Sequence, residues 1–104
     1  IEKKKIYLDA TLTLDILADR LEINRVYLSQ VLNYGIGKKF NDYINDYRVR
    51  ESIRILSKDS SRQYSIEIIA SMSGFNDRKT FYRVFKKITG LSPTEYWKGI
   101  QEER

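Results

Sequence analysis

Leu14, Leu17, Ala18 and Leu21 fall at the three- and four-residue spacing of a helix with one buried face. Thr13 stands before them as a cap, with Asp15 in the first turn where it suits the helix dipole. A short turn at Glu22–Asn24 follows, and Asn24 caps a second amphipathic run whose apolar positions are Leu28, Val31 and Leu32. The pattern then returns. Thr13–Leu32 reads TLDILADRLEINRVYLSQVL and Ser65–Phe85 reads SIEIIASMSGFNDRKTFYRVF, with Leu14/Ile66, Ile16/Ile68, Leu17/Ile69 and Ala18/Ala70 as matching positions. The first helices repeat at an offset of 52 residues and the second at 53, so the turn at Gly74–Asp77 is one residue longer. Helix, short turn, helix is the shape that sets a helix into the DNA major groove. This chain carries it twice.

Between the repeats, Gly35 and Gly37 are expected to break the second helix. A long helix, about Lys39–Ser57, should bury Phe40, Tyr43, Ile44, Tyr47, Ile53 and Leu56. At 1.5 Å per residue it is a rod of about 28 Å. Lys58–Tyr64 is polar and turn-like. In the second repeat Ser65 caps one helix, with Glu67 in its first turn, and Gly74 ends it. Phe75 should tuck into the core, and Asp77 caps a helix whose buried face is Phe81, Val84, Phe85 and Ile88. Gly90 closes that helix. Ser92-Pro93-Thr94-Glu95 is then a capping box with proline at the first helical position. Its helix should dock through Tyr96, Trp97 and Ile100. Ile1–Asp9 reads as the tail of a helix carrying the basic cluster Lys3-Lys4-Lys5. The expected fold is all-α: about seven helices, the first truncated, in two helix-turn-helix lobes joined by a long linker helix. The chain is expected to be a single domain over 1–104, with the first lobe at 13–38, the linker at 39–58 and the second lobe with its C-terminal helix at 59–104.

Composition narrows the function. The 104 residues carry a net charge of +5, which favours a polyanionic partner without identifying it. Cysteine and histidine are both absent, which removes disulfides, thiolate metal sites, histidine-based triads and a cysteine nucleophile. No cofactor or metal is expected. No apolar run approaches the ~20 residues a membrane span needs, and no signal peptide is present. The first residue is Ile rather than Met, so the expectation is a piece of a longer protein with a sensing or oligomerising part upstream.

Candidate chemistry lies on the outward faces of the two second helices. In 77–88 the polar positions are Arg78, Lys79, Thr80, Tyr82, Arg83, Lys86 and Lys87. Lys79, Thr80 and Arg83 share one face, with Arg78 at its N-terminal edge. Such a turn can aim at base edges, Arg83 being suited to the O6 and N7 of guanine, while Tyr82, Lys86 and Lys87 meet phosphates. An isolated basic face is usually just solvated; its place on the second helix of a helix-turn-helix tips the balance. In the first lobe the equivalent face holds Arg25, Val26, Ser29, Gln30 and Asn33. Gln30 and Asn33 suit adenine, Val26 a thymine methyl, and Arg25 a guanine or a phosphate. Ordinary helix surface is the competing account, with Val26 lightly buried.

The rod has an outward set as well, Arg48, Arg50 and Arg54 interleaved with Glu51, and local ion pairs are its simplest account. Arg48 can instead bind a helix end or bridge the lobes. Tyr7, Tyr27, Tyr64 and Tyr82 can each donate to a phosphate, although tyrosine more often packs and makes one hydrogen bond. Asp9, Asp15, Glu22 and Asp42 form no paired or metal-spaced constellation, and no glycine-rich phosphate loop is present. An enzyme is therefore not expected. The rival reading is a helical interaction module whose basic face meets an acidic protein.

The run Gly74-Phe75-Asn76-Asp77, then Thr80-Phe81, Arg83, Phe85-Lys86-Lys87, Gly90 and Ser92-Pro93-Thr94-Glu95-Tyr96 resembles the C-terminal signature of the AraC/XylS transcription regulators. Leu14, Leu17-Ala18, Leu21 and Tyr27-Leu28-Ser29 resemble that family's first helix-turn-helix, and Phe40, Tyr43-Ile44 and Tyr47-Arg48 its linker helix. The likeness covers essentially the whole chain in order. It implies seven helices in two lobes, each inserting one recognition helix into successive major-groove segments on one face of a double-stranded DNA operator. Base-reading positions would then be Val26, Ser29 and Gln30, and Lys79, Thr80 and Arg83. Only Ile1–Ile6 is available for the family's opening helix, and Trp97 stands where the family often has arginine. The resemblance further implies a cytoplasmic bacterial regulator that contacts RNA polymerase. Its DNA-binding part would be monomeric alone, and the full-length protein could be membrane-anchored.

Overall fold

A computed structural model describes residues 5–58 and 63–103. Lys3 and Lys4 of the basic cluster, and the centre of the polar turn at 59–62, lie outside the described residues. A 3-10 turn at Ile6–Leu8 leads into six helices. They are α1 (Leu14–Leu21), α2 (Arg25–Gln30), α3 (Phe40–Leu56), α4 (Ile66–Met72), α5 (Arg78–Thr89) and α6 (Pro93–Glu103).

The expected caps are in place. Thr13 Oγ1 accepts from the Ile16 N–H at 3.2 Å, and Asn24 Oδ1 from Val26 at 2.7 Å. Ser65 Oγ accepts from Ile68 at 3.2 Å, and Asp77 Oδ1 from Thr80 at 2.7 Å. The capping box of α6 closes both ways: Ser92 N–H donates to Glu95 Oε1 at 2.9 Å, and Glu95 N–H to Ser92 Oγ at 3.1 Å. Each cap satisfies donors that a short helix would otherwise leave open.

The protein measures 46 × 24 × 22 Å, an elongated outline that holds two cores rather than one. The first gathers Tyr7, Leu12, Leu17, Ala18, Leu28, Leu32 and Ile44. The second gathers Ile69, Ala70, Phe75, Phe81, Val84 and Phe85 with Val49, Ile55 and Leu56. Helix α3 thus gives Ile44, near its start, to one lobe and its C-terminal half to the other. Tyr96, Trp97 and Ile100 dock α6 on the second core as expected, with Tyr96 edge-on to Phe85 at 5.5 Å. The two-lobed fold on a shared helix is the one the periodicity predicts.

At mid-helix Arg48 takes the helix-end alternative, binding the carbonyls that close the 3-10 turn. Its Nε donates to the Tyr7 carbonyl at 2.6 Å and its Nη2 to the Asp9 carbonyl at 3.0 Å. Burial pulls the pKa of this guanidinium down, and the nearby Asp9 carboxylate partly offsets that. Arg54 pairs with the buried Glu51 through two contacts of 2.7 and 2.9 Å, and Arg50 sits over the Tyr47 ring, 5.4 Å from its centroid.

Several positions differ from expectation. Leu21 is exposed because α1 ends there and Glu22 turns left-handed, so Ile23 packs on the first core in its place. Gly35 does not break α2, which runs on as a π-turn over Val31–Ile36 and stops at Gly37. The wider turn, with the Gly37 N–H reaching back to the Leu32 carbonyl at 2.8 Å, keeps Leu32 inside and leaves Val31 exposed. Ile88 is exposed, the second core taking up Phe81, Val84 and Phe85 of α5 but not this residue of its last turn. The described part of the expected N-terminal helix is the 3-10 turn, preceded by Lys5 in the left-handed region.

Candidate nucleic-acid interface

In the first lobe the turn after α1 throws α2 across it, with Leu28 as the buried anchor. What remains outside is an open groove of about 390 Å³ lined by Leu14, Arg25, Val26, Ser29, Gln30, Asn33 and Tyr34. All five residues singled out in this lobe therefore lie together. Val26 is 62% exposed, which removes the lightly buried alternative. Asn33 Nδ2 donates to Ser29 Oγ at 3.3 Å, so two of the candidate readers steady each other. Tyr34, 87% exposed, joins the face unforeseen. Its position next to Gly35 reads as a helix end, whereas the π-turn carries the helical face one turn further.

The second lobe presents a different surface. Phe81, Val84 and Phe85 bury one face of α5, and Phe81 is fully inside between Phe75 and Phe85, at centroid distances of 5.1 and 5.6 Å. Lys79, Arg83, Lys86 and Lys87 all lie exposed on the other faces, and among the described residues none of them makes a direct ion pair. Thr80 is half-buried, its N–H held by Asp77. That bond, with the Thr80 hydroxyl second, keeps the Asp77 carboxyl below its ordinary range. Lys86 and Lys87 occupy the last turn, where cations also suit the helix dipole.

Arg25 and Arg78 are held differently. Arg25 Nε lies 3.0 Å from Asp15 Oδ1, and Arg78 Nη1 lies 2.9 Å from Glu67 Oε1. In both lobes the first residue of the second helix pairs with the second residue of the first helix. The signal was in the repeat: each first helix carries one carboxylate in its opening turn, legible from sequence as a dipole partner only. Arg78 also lies 4.9 Å from the Tyr82 ring centroid and donates to the Tyr82 hydroxyl at 3.3 Å. That hydroxyl lies 2.6 Å from Thr94 Oγ1, so Tyr82 is committed to α6 rather than free. Tyr82 first and Glu67 next hold the guanidinium above its ordinary pKa. The Glu67 carboxyl is held down by its own helix-start N–H and then by Arg78.

Among the described residues no group of carboxylates could hold a metal ion, and no helix is long and apolar enough to cross a membrane.

Comparison with known proteins agrees with this geometry. A family model described as a helix-turn-helix domain matches residues 17–99. The transcriptional regulatory protein YesN of Bacillus subtilis is 35% identical over 79 residues, covering 75% of this chain and 21% of YesN. The chain spans 11% of the length of the regulator YtdP of B. subtilis, 21% of YesN and 32% of HptR of Staphylococcus aureus. The C-terminal domain of AraT, a response regulator from Geobacillus stearothermophilus, superposes with a TM-score of 0.81 at 28% identity, covering 91% of this chain and 76% of that one. The DNA-binding domain of AdpA, solved with a target DNA, shares the fold with a TM-score of 0.83 at 20% identity, covering 94% of this chain and 85% of that one.

Proposed function

The chain belongs to the AraC-type helix-turn-helix family and is a DNA-binding domain of a bacterial transcription regulator, and we propose that it reads one operator with both lobes. The observation that carries this reading is the pair of outward second helices, one polar and one cationic, mounted on a single shared 17-residue helix. Each enters the major groove, the two about 34 Å apart along one face of the duplex, one turn of B-DNA. Val26, Ser29, Gln30, Lys79, Thr80 and Arg83 meet base edges, with Arg25 and Arg78 at the N-terminal margins of the two faces. Asn33, Lys86 and Lys87 meet the backbone, while Tyr82, its hydroxyl engaged by Thr94 and Arg78, steadies Arg78 instead. Phosphate contacts supply affinity and its salt dependence, and the base contacts supply selectivity.

The domain acts within a longer, cytoplasmic regulator whose other part senses a signal and whose bound form contacts RNA polymerase; alone it binds as a monomer. Selection of duplexes from a random library at physiological salt tests the central claim. Two enriched blocks about one helical turn apart support it. A single block would reduce one lobe to an electrostatic clamp, and salt-sensitive binding without enrichment would refute readout by this domain.

A further inference from the structure

Besides the shared helix, the two lobes come to backbone distance around Gly74. There the 3-10 turn at Ile6–Leu8 is wedged between α3 and the second lobe's turn. On one side Arg48 holds the carbonyls of Tyr7 and Asp9, at 2.6 and 3.0 Å, while the Tyr7 ring stacks on Tyr47 at 5.2 Å. On the other side lies Gly74, with φ +93°. A Cβ there would sit 2.5 Å from the Tyr7 carbonyl oxygen and 3.0 Å from both Leu8 Cα and Arg48 Nε. Two of those three neighbours are backbone and cannot move aside cheaply. Gly74 thus answers two demands at once: a left-handed turn, and contact with the other lobe at backbone distance. Tyr7 belongs to the first core and Phe75, the next residue after Gly74, to the second, so a shift at this junction is a shift of one core against the other.

We infer that Arg48 and Gly74 are positioning residues for DNA recognition: they fix the spacing and angle of α2 and α5 without touching DNA. The inference rests on the two-lobed reading above. When one lobe is bound, the other meets its block as an intramolecular partner, at an effective concentration set by how narrowly the lobes are held. A rigid junction raises that concentration and rejects blocks at the wrong spacing. A loose one forfeits both.

The test uses two readouts. The first needs no DNA. Because the chain has no cysteine, spin labels on Asp19→Cys and Lys98→Cys report the inter-lobe distance selectively. The parent should give one narrow distribution, and Arg48→Gln and Gly74→Ala should broaden or shift it; an unchanged distribution in Arg48→Gln overturns the inference. The second uses the selected duplex, each of its blocks alone, and versions with the spacing altered by one and two base pairs. Arg48→Gln should bind the two-block duplex at least tenfold more weakly, bind single blocks as the parent does, and lose the spacing preference. Equal losses on single and double blocks would mean a local folding role and also overturn it. Should Gly74→Ala fail to fold, Arg48→Gln alone decides. A parent that binds two blocks no better than one refutes the two-lobed reading, while the spin-label distances still judge the junction.

Discussion

Glu67→Gln should make this domain bind DNA more tightly and less selectively. The carboxylate lies 2.9 Å from Arg78 at the leading edge of α5, where a phosphate would otherwise draw the guanidinium. Both side chains are more than half exposed, so the pair is screened by solvent and its loss should leave the fold intact. Glutamine keeps the shape and removes the charge. Tyr82 still holds the guanidinium from below, so the arginine stays at the same place with its charge now available. One additional phosphate contact adds about 0.9 to the dependence of log affinity on log salt. Over a fourfold change from 50 to 200 mM salt, that is an extra loss of about 3.5-fold relative to the parent. Titration of a random-sequence duplex and of the selected operator at four salt concentrations measures both slopes. The expected result is a steeper slope on both and a smaller ratio between them. Asp15→Asn should act the same way through Arg25 in the first lobe. An unchanged slope with unchanged selectivity would show that the paired carboxylates do not compete with phosphate, and would refute the reasoning.

Arg83→Ala should cost roughly 1–3 kcal/mol of operator binding and relax preference at one base pair in a repeated selection. Lys87→Ala should instead weaken all sequences alike and lower the salt exponent by about 0.9; a sequence-selective loss would move Lys87 into the reading set. Phe81→Ala empties a fully buried site between two other phenylalanines and should cost about 3–5 kcal/mol in denaturant unfolding, enough to lose the second lobe's cooperative transition. Acid should destabilise the domain. Glu51, held down first by its hydrogen bond from Arg54, and Glu95, held down by the Ser92 N–H, have folded pKa values below their unfolded ones. Their stabilisation is therefore complete above the ordinary glutamate value of about 4.3 and fades as pH falls through the lower folded values. Urea midpoints across pH 3–6 check this, and Glu51→Gln should flatten the profile.

What could be read from the chain alone was whatever depends on near neighbours. Caps at Thr13, Asn24, Ser65, Asp77 and Ser92, the Leu17–Ala18 face of α1 and the Phe81, Val84, Phe85 face of α5 follow from spacing within one or two turns. On α3 the expected set caught Ile44 and Leu56 but missed the buried Val49 and Ile55, which serve the second core. Errors came where a distant element decides. Val31 and Ile88 sit at correct helical spacing yet lie exposed, the first where the helix widens and the second beyond the part of α5 that the second core takes up. Arg48 looked like one cation among three on the rod, since its carbonyl partners lie about forty positions earlier and carry no side-chain signature. The pairings Asp15–Arg25 and Glu67–Arg78 span ten and eleven positions, across a turn whose geometry the composition does not state.

The two lobes are unequal in a way that assigns them different work. Over the first lobe, 13–38, three cations face three carboxylates, whereas over the second, 59–104, eight cations face six. Helix α5 carries five cations and no carboxylate; α2 carries one, already matched by Asp15. Long-range attraction to a duplex therefore falls on the second lobe, and it is the part of binding that salt removes. The first lobe offers amides, a hydroxyl and an exposed Val26, groups that discriminate bases at contact and add little at a distance. On the proposed reading a rigid junction would let one lobe's affinity serve the other's selectivity, α5 supplying the residence and the fixed spacing presenting α2 to one defined segment of groove. If the lobes moved freely, α2 would sample many segments with too little charge to stay on any of them. On that reading, the positive-φ glycine and the half-buried arginine at the junction should matter to sequence choice alongside the residues proposed to touch bases.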